Sequence, residues 1–164
     1  IRFNNTFGET LIVPESDIEE RTQLVPGIDG QKMSKSYGNT IPIFDTEKKI
    51  RKKIMKIITD TTDIDEPKDK DTPLFQLYCL FLDEAGQKEL SNRYDGKGLQ
   101  YGIVKQELFE KVMDHFGPFR EKRDQLSSNP SHVYEVLNFG AEKARKVADK
   151  VLDRVRSAAG VNYH

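Results

Sequence analysis

Apolar residues recur at helical spacing through most of the second half of this 164-residue chain, and this pattern constrains its fold most strongly. One stripe, between residues 101 and 126, consists of Val104, Leu108, Val112, Phe116, Phe119 and Leu126. A second, between residues 131 and 159, consists of Val133, Leu137, Ala144, Val147, Val151 and Val155. An amphipathic helix buries its apolar stripe against another element. We therefore expect two long helices that pack together in a mainly α fold.

Four residues mark the limits and the breaks of these two helices. Asn129 can cap the second helix, and Pro130 suits its first position, where a missing N–H costs no helical hydrogen bond. Pro118 lies inside the first helix and is expected to kink it, because its nitrogen cannot donate to the carbonyl one turn earlier. Gly140 marks a point at which the second helix could divide.

Shorter elements are predicted in the first half of the chain. Three helices are expected at 46–59, 73–82 and 84–93, with a loop rich in Asp, Thr and Lys at 60–72. Asp45 or Thr46 can cap the first helix, and Pro73 suits the first turn of the second. The buried stripe of the first helix is expected to be Ile50, Ile54, Ile57 and Ile58. Two short strands are predicted at 10–13 and 22–25.

Residues 32–36 read Lys-Met-Ser-Lys-Ser and are the strongest chemical signal in the sequence. The two lysines supply compact positive charges for phosphate oxygens, and the serines and backbone N–H groups add hydrogen-bond donors. Gly27, Gly30 and Gly38 allow the backbone to move or to approach a ligand closely. These residues predict a polyphosphate-binding loop, with a solvated surface turn as the alternative for a segment of this composition.

The same pentapeptide is the signature of class I aminoacyl-tRNA synthetases, and its surroundings narrow the resemblance. Residues 25–31 (Val-Pro-Gly-Ile-Asp-Gly-Gln) lead into it, and 37–44 (Tyr-Gly-Asn-Thr-Ile-Pro-Ile-Phe) follow. A basic helix, a Thr-Asp-Thr-Thr-Asp stretch at 59–63 and Gly-Ala-Glu-Lys-Ala-Arg at 140–145 complete the order. In this order the chain resembles the C-terminal half of the bacterial tryptophanyl-tRNA synthetase family.

The second signature of that family, a His-x-Gly-His-like or Gly-x-x-Gly-Asn element near the N-terminus, has no match in this sequence. The three histidines, His115, His132 and His164, are scattered. We therefore expect the chain to be a fragment that lacks the first half of the catalytic domain and is inactive alone.

The resemblance implies a division of the chain into three segments. Residues 1–44 would be the end of an α/β nucleotide-binding (Rossmann-like) domain with the signature loop, which comprises the residues around the pentapeptide from 26 to 40. Residues 45–63 would be a connecting basic helix, and 64–164 an α-helical domain of the anticodon-binding type. The expected fold class is thus mainly α, with a helical C-terminal domain preceded by the signature loop and a remnant of the Rossmann-like fold.

The resemblance also implies a function, that of a tryptophan–tRNA ligase in the full-length protein. Such an enzyme activates tryptophan with ATP and transfers it to tRNA(Trp), with the tryptophan pocket in the missing half. The expected catalytic residues are Lys32 and Lys35, with Lys35 closer to the transition state, and Met33 is expected to pack inward. The expected ATP-binding residues are Val25, Lys32, Met33, Ser34, Lys35 and Ser36. Mg²⁺ would arrive bound to ATP, since no carboxylate cluster indicates a metal site, and the full-length enzyme is expected to be a homodimer.

Positive charge is concentrated locally, although a formal net charge of −1 excludes a uniformly basic nucleic-acid binder. The family resemblance points to tRNA binding by a cationic set on the last helix: Lys143, Arg145, Lys146, Lys150 and Arg154. Acidic neighbours leave ion pairing on a solvated face as the alternative. The same two interpretations, RNA contact and solvated surface, apply to the basic residues of 48–56.

Cysteine content and hydropathy bear on the cellular compartment. Cys79 is the only cysteine and cannot form an internal disulfide, which favours a reducing compartment. No apolar stretch reaches membrane-spanning length and no signal peptide is visible, so a cytoplasmic protein without a membrane partner is expected. Two alternative functions remain: a stand-alone helical RNA-binding or assembly module, and a class I synthetase of another specificity, such as tyrosine.

Overall fold

The computed structural model describes residues 1–19 and 23–161. The α-helices in these residues are α1 (Arg2–Phe7), α2 (Glu47–Met55), α3 (Pro73–Cys79), α4 (Glu84–Asp95), α5 (Tyr101–Ser127) and α6 (Pro130–Ala159). A short 3-10 helix spans Lys35–Tyr37. The described residues contain no β-strand, so the predicted mainly α fold is confirmed. None of their helices combines the length and the apolar character that crossing a bilayer requires.

The chain divides into two compact units. One is Ile18–Glu121, and the other joins Ile1–Asp17 to Lys122–His164. The signature loop therefore belongs to the same unit as α2, α3, α4 and the larger part of α5. The predicted segment boundaries after residues 44 and 63 both fall inside this unit and stay predictions about the intact protein.

Helices α2 to α5 build the core of the unit 18–121. Its buried apolar side chains are Ile50, Ile54, Ile57, Leu74, Leu77, Tyr78, Leu90, Tyr94, Leu99, Val104, Leu108 and Val112. Burying one aliphatic side chain of this size stabilises a fold by roughly 1.5–3 kcal/mol. A bidentate ion pair at the edge of this core joins α4 to α5: Arg93 Nη1 and Nη2 lie 2.8 Å and 3.0 Å from the Glu107 carboxylate oxygens.

The prolines predicted in the first turns of α3 and α6, and the Asn129 cap of α6, are present. Pro73 and Pro130 occupy the first turns of their helices, and the Asn129 side chain accepts from His132 N–H at 3.3 Å. Thr46 takes the N-cap position of α2, but its side chain makes no capping hydrogen bond. Helix α5 continues through Pro118; the kink expected there stays a prediction.

One position of the predicted α2 stripe is wrong. Ile50, Ile54 and Ile57 are buried, whereas Ile58 is 52% exposed. The helix ends at Met55, so residue 58 no longer follows the helical repeat. Its backbone N–H instead donates to Ile28 O at 2.9 Å and fastens the segment after α2 to the start of the signature loop.

The strand predicted at 10–13 does not form. Strands need a neighbouring strand for their backbone groups, and here the side chain of Asn4 takes that place. Asn4 Oδ1 accepts from Thr10 N–H at 3.3 Å and Leu11 N–H at 2.9 Å, and Asn4 Nδ2 donates to Leu11 O at 2.6 Å. The strand predicted at 22–25 begins on a residue outside the described part, and its described positions, 23–25, are not in a strand.

Helix α6 differs from the prediction in two ways. It is continuous through Gly140, so the division at that residue is wrong. The predicted inward positions Leu137 and Val147 are 60% and 66% exposed, and no described residue of α6 is buried. Helical periodicity identifies an apolar stripe but contains no information about what covers it.

Alanine should change stability in opposite directions at Gly140, inside α6, and at Gly160, which follows its last residue. Gly140 lies in the helix interior, and a Cβ added there would meet no atom within 4 Å, so Gly140→Ala should raise the free energy of unfolding by about 0.5–1 kcal/mol. Gly160 ends the helix at φ 69°, and Gly160→Ala should lower the free energy of unfolding by about 1 kcal/mol. Urea titration of the full-length protein, followed by circular dichroism, measures both; a Gly140→Ala protein that is less stable than the parent would contradict a continuous helix.

Candidate functional site

The signature loop begins as a tight reversal of the chain. Pro26 and Lys32 form an antiparallel bridge, and Met33 N–H donates to Val25 O at 2.8 Å. Inside this reversal Gly30 adopts φ +80°, a left-handed conformation that glycine reaches without steric cost. Residues 25–33 are therefore held as a compact turn with its two ends hydrogen-bonded together.

The side chain of Asn39 holds the loop together through three hydrogen bonds. Its Oδ1 accepts from Ser34 N–H at 2.7 Å, and its Nδ2 donates to Lys32 O at 3.1 Å and Asp29 Oδ1 at 2.8 Å. Asn39 O also accepts from Ile28 N–H at 3.0 Å. Asn39 is only 2% exposed, and a buried amide whose donors and acceptor are all engaged specifies one arrangement of its neighbours. Sequence reasoning did not single out this residue.

Asn39 also constrains two of its neighbours. A Cβ added to Gly27 would lie 2.3 Å from Asn39 Nδ2, so no larger residue fits at position 27 without displacing the amide. The hydrogen bond from Asn39 lowers the pKa of Asp29 below its ordinary value. A lowered carboxyl pKa means that the ionised form stabilises the fold at neutral pH; this contribution is lost only in acid, as the pH falls through the folded-state pKa.

The predicted catalytic lysines lie on the outer side of the loop. Lys32 and Lys35 are both exposed, and neither forms an ion pair with a carboxylate in the described part of the chain. Ser34 Oγ and Ser36 Oγ are 2.8 Å apart. After the 3-10 turn, Gly38 O accepts from Lys53 Nζ at 2.9 Å, which ties the end of the loop to α2. The loop thus presents two ammonium groups and two hydroxyls on an anchored backbone.

The side chains of two predicted ATP-binding residues, Val25 and Met33, pack towards the core and not towards the outer side of the loop. Val25 and Met33 are half-buried and pack against the core of the unit, so the inward packing expected of Met33 is confirmed. Both line an apolar cavity of about 190 Å³ together with residues of α3 and α5. Their side chains anchor the loop, and any contact with a nucleotide would come from their backbone groups.

The predicted tRNA-binding residues on α6 are all exposed. Residues three and four apart share a helical face, so Lys143, Lys146, Lys150 and Arg154 form one stripe, whereas Arg145 lies on another side of the helix. Lys143 Nζ stands 4.3 Å from the centroid of the Phe139 ring. The described ion pair on this helix joins Arg156 to Asp153, and none of the five predicted residues takes part in it.

No group of three or more His, Cys, Asp or Glu side chains within residues 1–19 and 23–161 is arranged to hold a metal ion.

Comparison with known proteins identifies the family. The family described as tRNA synthetases class I (W and Y) matches residues 2–117, which is more than half of the chain. The chain belongs to this class I tRNA synthetase family. The family match includes the signature loop, α2 to α4 and the first part of α5.

Relatives of this synthetase chain extend the match to nearly all of its length. Tryptophan–tRNA ligase of Campylobacter jejuni (strain RM1221) is 44% identical over 162 residues, which are 98% of this chain and 51% of that protein. The ligase of Rhodopirellula baltica is 44% identical over 160 residues, 97% of this chain and 50% of that protein.

A crystal structure of Campylobacter jejuni tryptophanyl-tRNA synthetase complexed with ADP and tryptophan matches with a TM-score of 0.79 and 45% identity. The match covers 97% of this chain and 50% of that one. The synthetase chain thus spans about half the length of the curated relatives it matches.

Removing the Asn39 side chain should destabilise the arrangement of the signature loop. Asn39→Ala leaves Ser34 N–H and Lys32 O without their partner and should lower the free energy of unfolding by about 1–3 kcal/mol. Because loss of positioning can cost on the order of 100-fold in rate, we expect a similar fall in any ATP–pyrophosphate exchange that the full-length protein catalyses.

Two further variants make this test specific. Asn39→Asp keeps the shape and the acceptor but loses both donors and sets a carboxylate beside Asp29, so it should be as inactive as Asn39→Ala. Asn138→Ala, at an exposed position of α6, should behave as the parent. Parent-like exchange by Asn39→Asp would show that the donor bonds to Lys32 and Asp29 do not hold the active loop.

Proposed function

We propose that the full-length protein is a tryptophan–tRNA ligase, which activates tryptophan with ATP and transfers it to tRNA(Trp). The single observation that carries this proposal is 44% identity to tryptophan–tRNA ligases over 98% of the chain. The exposed lysine pair on an anchored loop is the chemistry that such a reaction needs. This chain would supply the signature loop and a helical tRNA-binding part, and the tryptophan pocket would lie in the rest of the protein.

The activation step needs positive charge more than it needs a base. The tryptophan carboxylate is already a nucleophile and attacks the α-phosphorus of ATP, and the bond to the leaving pyrophosphate breaks. Negative charge grows on the leaving oxygens, where preorganised cations stabilise the transition state. Lys35 and Lys32 would supply these cations, and Ser34 and Ser36 would donate hydrogen bonds. Mg²⁺ would be carried by the nucleotide, since the described residues contain no cluster of ligating side chains to hold it.

The matching family includes enzymes for both W and Y, so specificity for tryptophan has a test of its own. ATP–pyrophosphate exchange by the full-length protein, tested with all twenty amino acids, decides it. We expect exchange with tryptophan and only background with tyrosine. Exchange with tyrosine alone would replace the proposed specificity, and no exchange with any amino acid would favour a helical RNA-binding or assembly module.

The cellular setting follows from the same proposal. A ligase that charges tRNA works where translation takes place, so we propose a cytoplasmic protein without a membrane partner. A homodimer is proposed for the full-length enzyme on family resemblance alone. Sedimentation of the full-length protein at micromolar concentration tests the oligomeric state.

Lys35 is proposed to act mainly in the activation transition state. Lys35→Ala in the full-length protein should raise the activation barrier by roughly 2–4 kcal/mol, the scale of a single preorganised donor. The KM for ATP should change less, because the contact strengthens as charge develops. Pyrophosphate-exchange kinetics measure both quantities, with Lys111→Ala on the exposed surface of α5 as the control. Equal kcat values for Lys35→Ala and the control would refute this role.

The stripe on α6 is proposed to contact the anticodon end of the tRNA. Lys146→Gln with Lys150→Gln removes two neighbouring charges of the stripe and should raise the tRNA KM while leaving pyrophosphate exchange unchanged. Arg145→Gln, on another side of the helix, should have little effect. If the stripe variant and the Arg145 variant give the same aminoacylation kinetics at physiological salt, the stripe is only a solvated surface.

A further inference from the structure

A second cationic surface lies on α2, on a different side of the helix from the signature loop. Lys48, Arg51 and Lys52 are exposed and share one face of the helix, since they are three and four residues apart. They line a groove of about 640 Å³ whose opposite wall is formed by Gln106 and Phe109 of α5. This volume is within the range of ligand-binding sites. We call this surface the α2–α5 groove.

The guanidinium of Arg51 is held in place within the α2–α5 groove. Arg51 Nε donates to Gln106 Oε1 at 3.1 Å, and Gln106 Nε2 donates to Glu110 Oε1 at 2.8 Å. This chain of hydrogen bonds engages one edge of the guanidinium and leaves its terminal amino groups for another acceptor. A planar fork of N–H donors suits the paired oxygens of a phosphate.

The charges of the groove are not neutralised within the described chain. Lys48, Arg51 and Lys52 form no ion pair there, in contrast to Lys49, whose Nζ lies 3.0 Å from Asp45 Oδ1. Glu47 is the acidic residue in the lining, so cations outnumber carboxylates in the groove. The half-buried ring of Phe109 adds an apolar surface on the α5 wall of the groove. Cations facing an apolar ring fit a polyanion that also carries flat groups, which describes a nucleic acid.

The α2–α5 groove is close to the loop but separate from it. Lys53, which donates to Gly38 O at the end of the loop, lies about 140° around the helix from Lys48. Groove and loop therefore flank α2 on different sides, separated by one helix diameter of about 10 Å. An ATP molecule bound at the loop would not need the groove, whereas an RNA whose end reaches the loop would pass near it.

We propose that the α2–α5 groove binds the sugar-phosphate backbone of the tRNA substrate through Lys48, Arg51 and Lys52, with the Arg51 guanidinium positioned by Gln106. This inference rests on the proposed ligase function. It adds a tRNA-binding surface in the unit 18–121, distinct from the stripe on α6.

The test compares two double variants of the full-length protein. Lys48→Gln with Lys52→Gln removes two charges from the groove. Lys88→Gln with Lys111→Gln removes two charges from exposed positions of α4 and α5 outside it. Pyrophosphate exchange, the tRNA KM in aminoacylation and tRNA affinity across a salt series are measured for both variants and the parent.

Loss of two phosphate contacts has a defined signature. The slope of log affinity against log salt should become shallower by about 1.4–1.8, and tRNA affinity near 0.15 M salt should fall by roughly 10- to 30-fold. Exchange with tryptophan should be unchanged, and the control variant should match the parent in all three measurements. A third variant, Gln106→Leu, should weaken tRNA binding by a smaller factor, because it releases Arg51 without removing its charge.

The outcomes separate the failure of this inference from that of the proposed function. If the parent catalyses neither exchange nor aminoacylation, the proposed ligase is wrong and the inference falls with it. If the parent is active but the groove variant and the control bind tRNA equally, the groove is a solvated surface and the inference is overturned. Loss of exchange in the groove variant would show a nucleotide-binding role and would also overturn it.

Discussion

The amide of Asn39 holds together the signature loop that carries the two exposed lysines. One buried side chain engages Ser34 N–H, Lys32 O and the Asp29 carboxylate, while its own carbonyl engages Ile28 N–H. These bonds set where the backbone of the two exposed lysines lies. Because a buried amide with an unmade bond costs about 1–3 kcal/mol, the loop has one favoured arrangement. The exposed side chains of Lys32 and Lys35 can then reach a ligand while the backbone that carries them stays fixed.

Helix α2 connects this loop to the rest of its unit by using different faces for different tasks. Ile50 and Ile54 bury one face in the core, and Lys53 reaches the loop from a second. The third face carries the cations of the α2–α5 groove. A helix this short can serve three purposes because each successive side chain is rotated by about 100°. The lysines that ring α2 in the sequence are therefore not equivalent.

Two exposed cationic surfaces, the α2–α5 groove and the stripe on α6, belong to different compact units. Each collects three or four positive charges although the chain as a whole carries a formal charge of −1. A long polyanion such as tRNA can contact several such surfaces at once, and each contact contributes a salt-dependent increment of affinity. Local clustering, and not net charge, is therefore the electrostatic property on which the proposed RNA binding depends.

The sequence by itself determined the helices and the family. Helical periodicity, prolines at first turns and the Asn129 cap are local signals, so α3, α5 and α6 could be predicted, and the pentapeptide at 32–36 located the loop. Only the tertiary structure decided what depends on distant partners. Asn39 became the anchor of the loop because folding brings Asp29, Lys32 and Ser34 around it. Ile58 turned outward because α2 ends before it, and residues 10–13 formed no strand, since Asn4 engages the backbone of Thr10 and Leu11. Such outcomes follow from which atoms meet in space, and sequence spacing does not encode that directly.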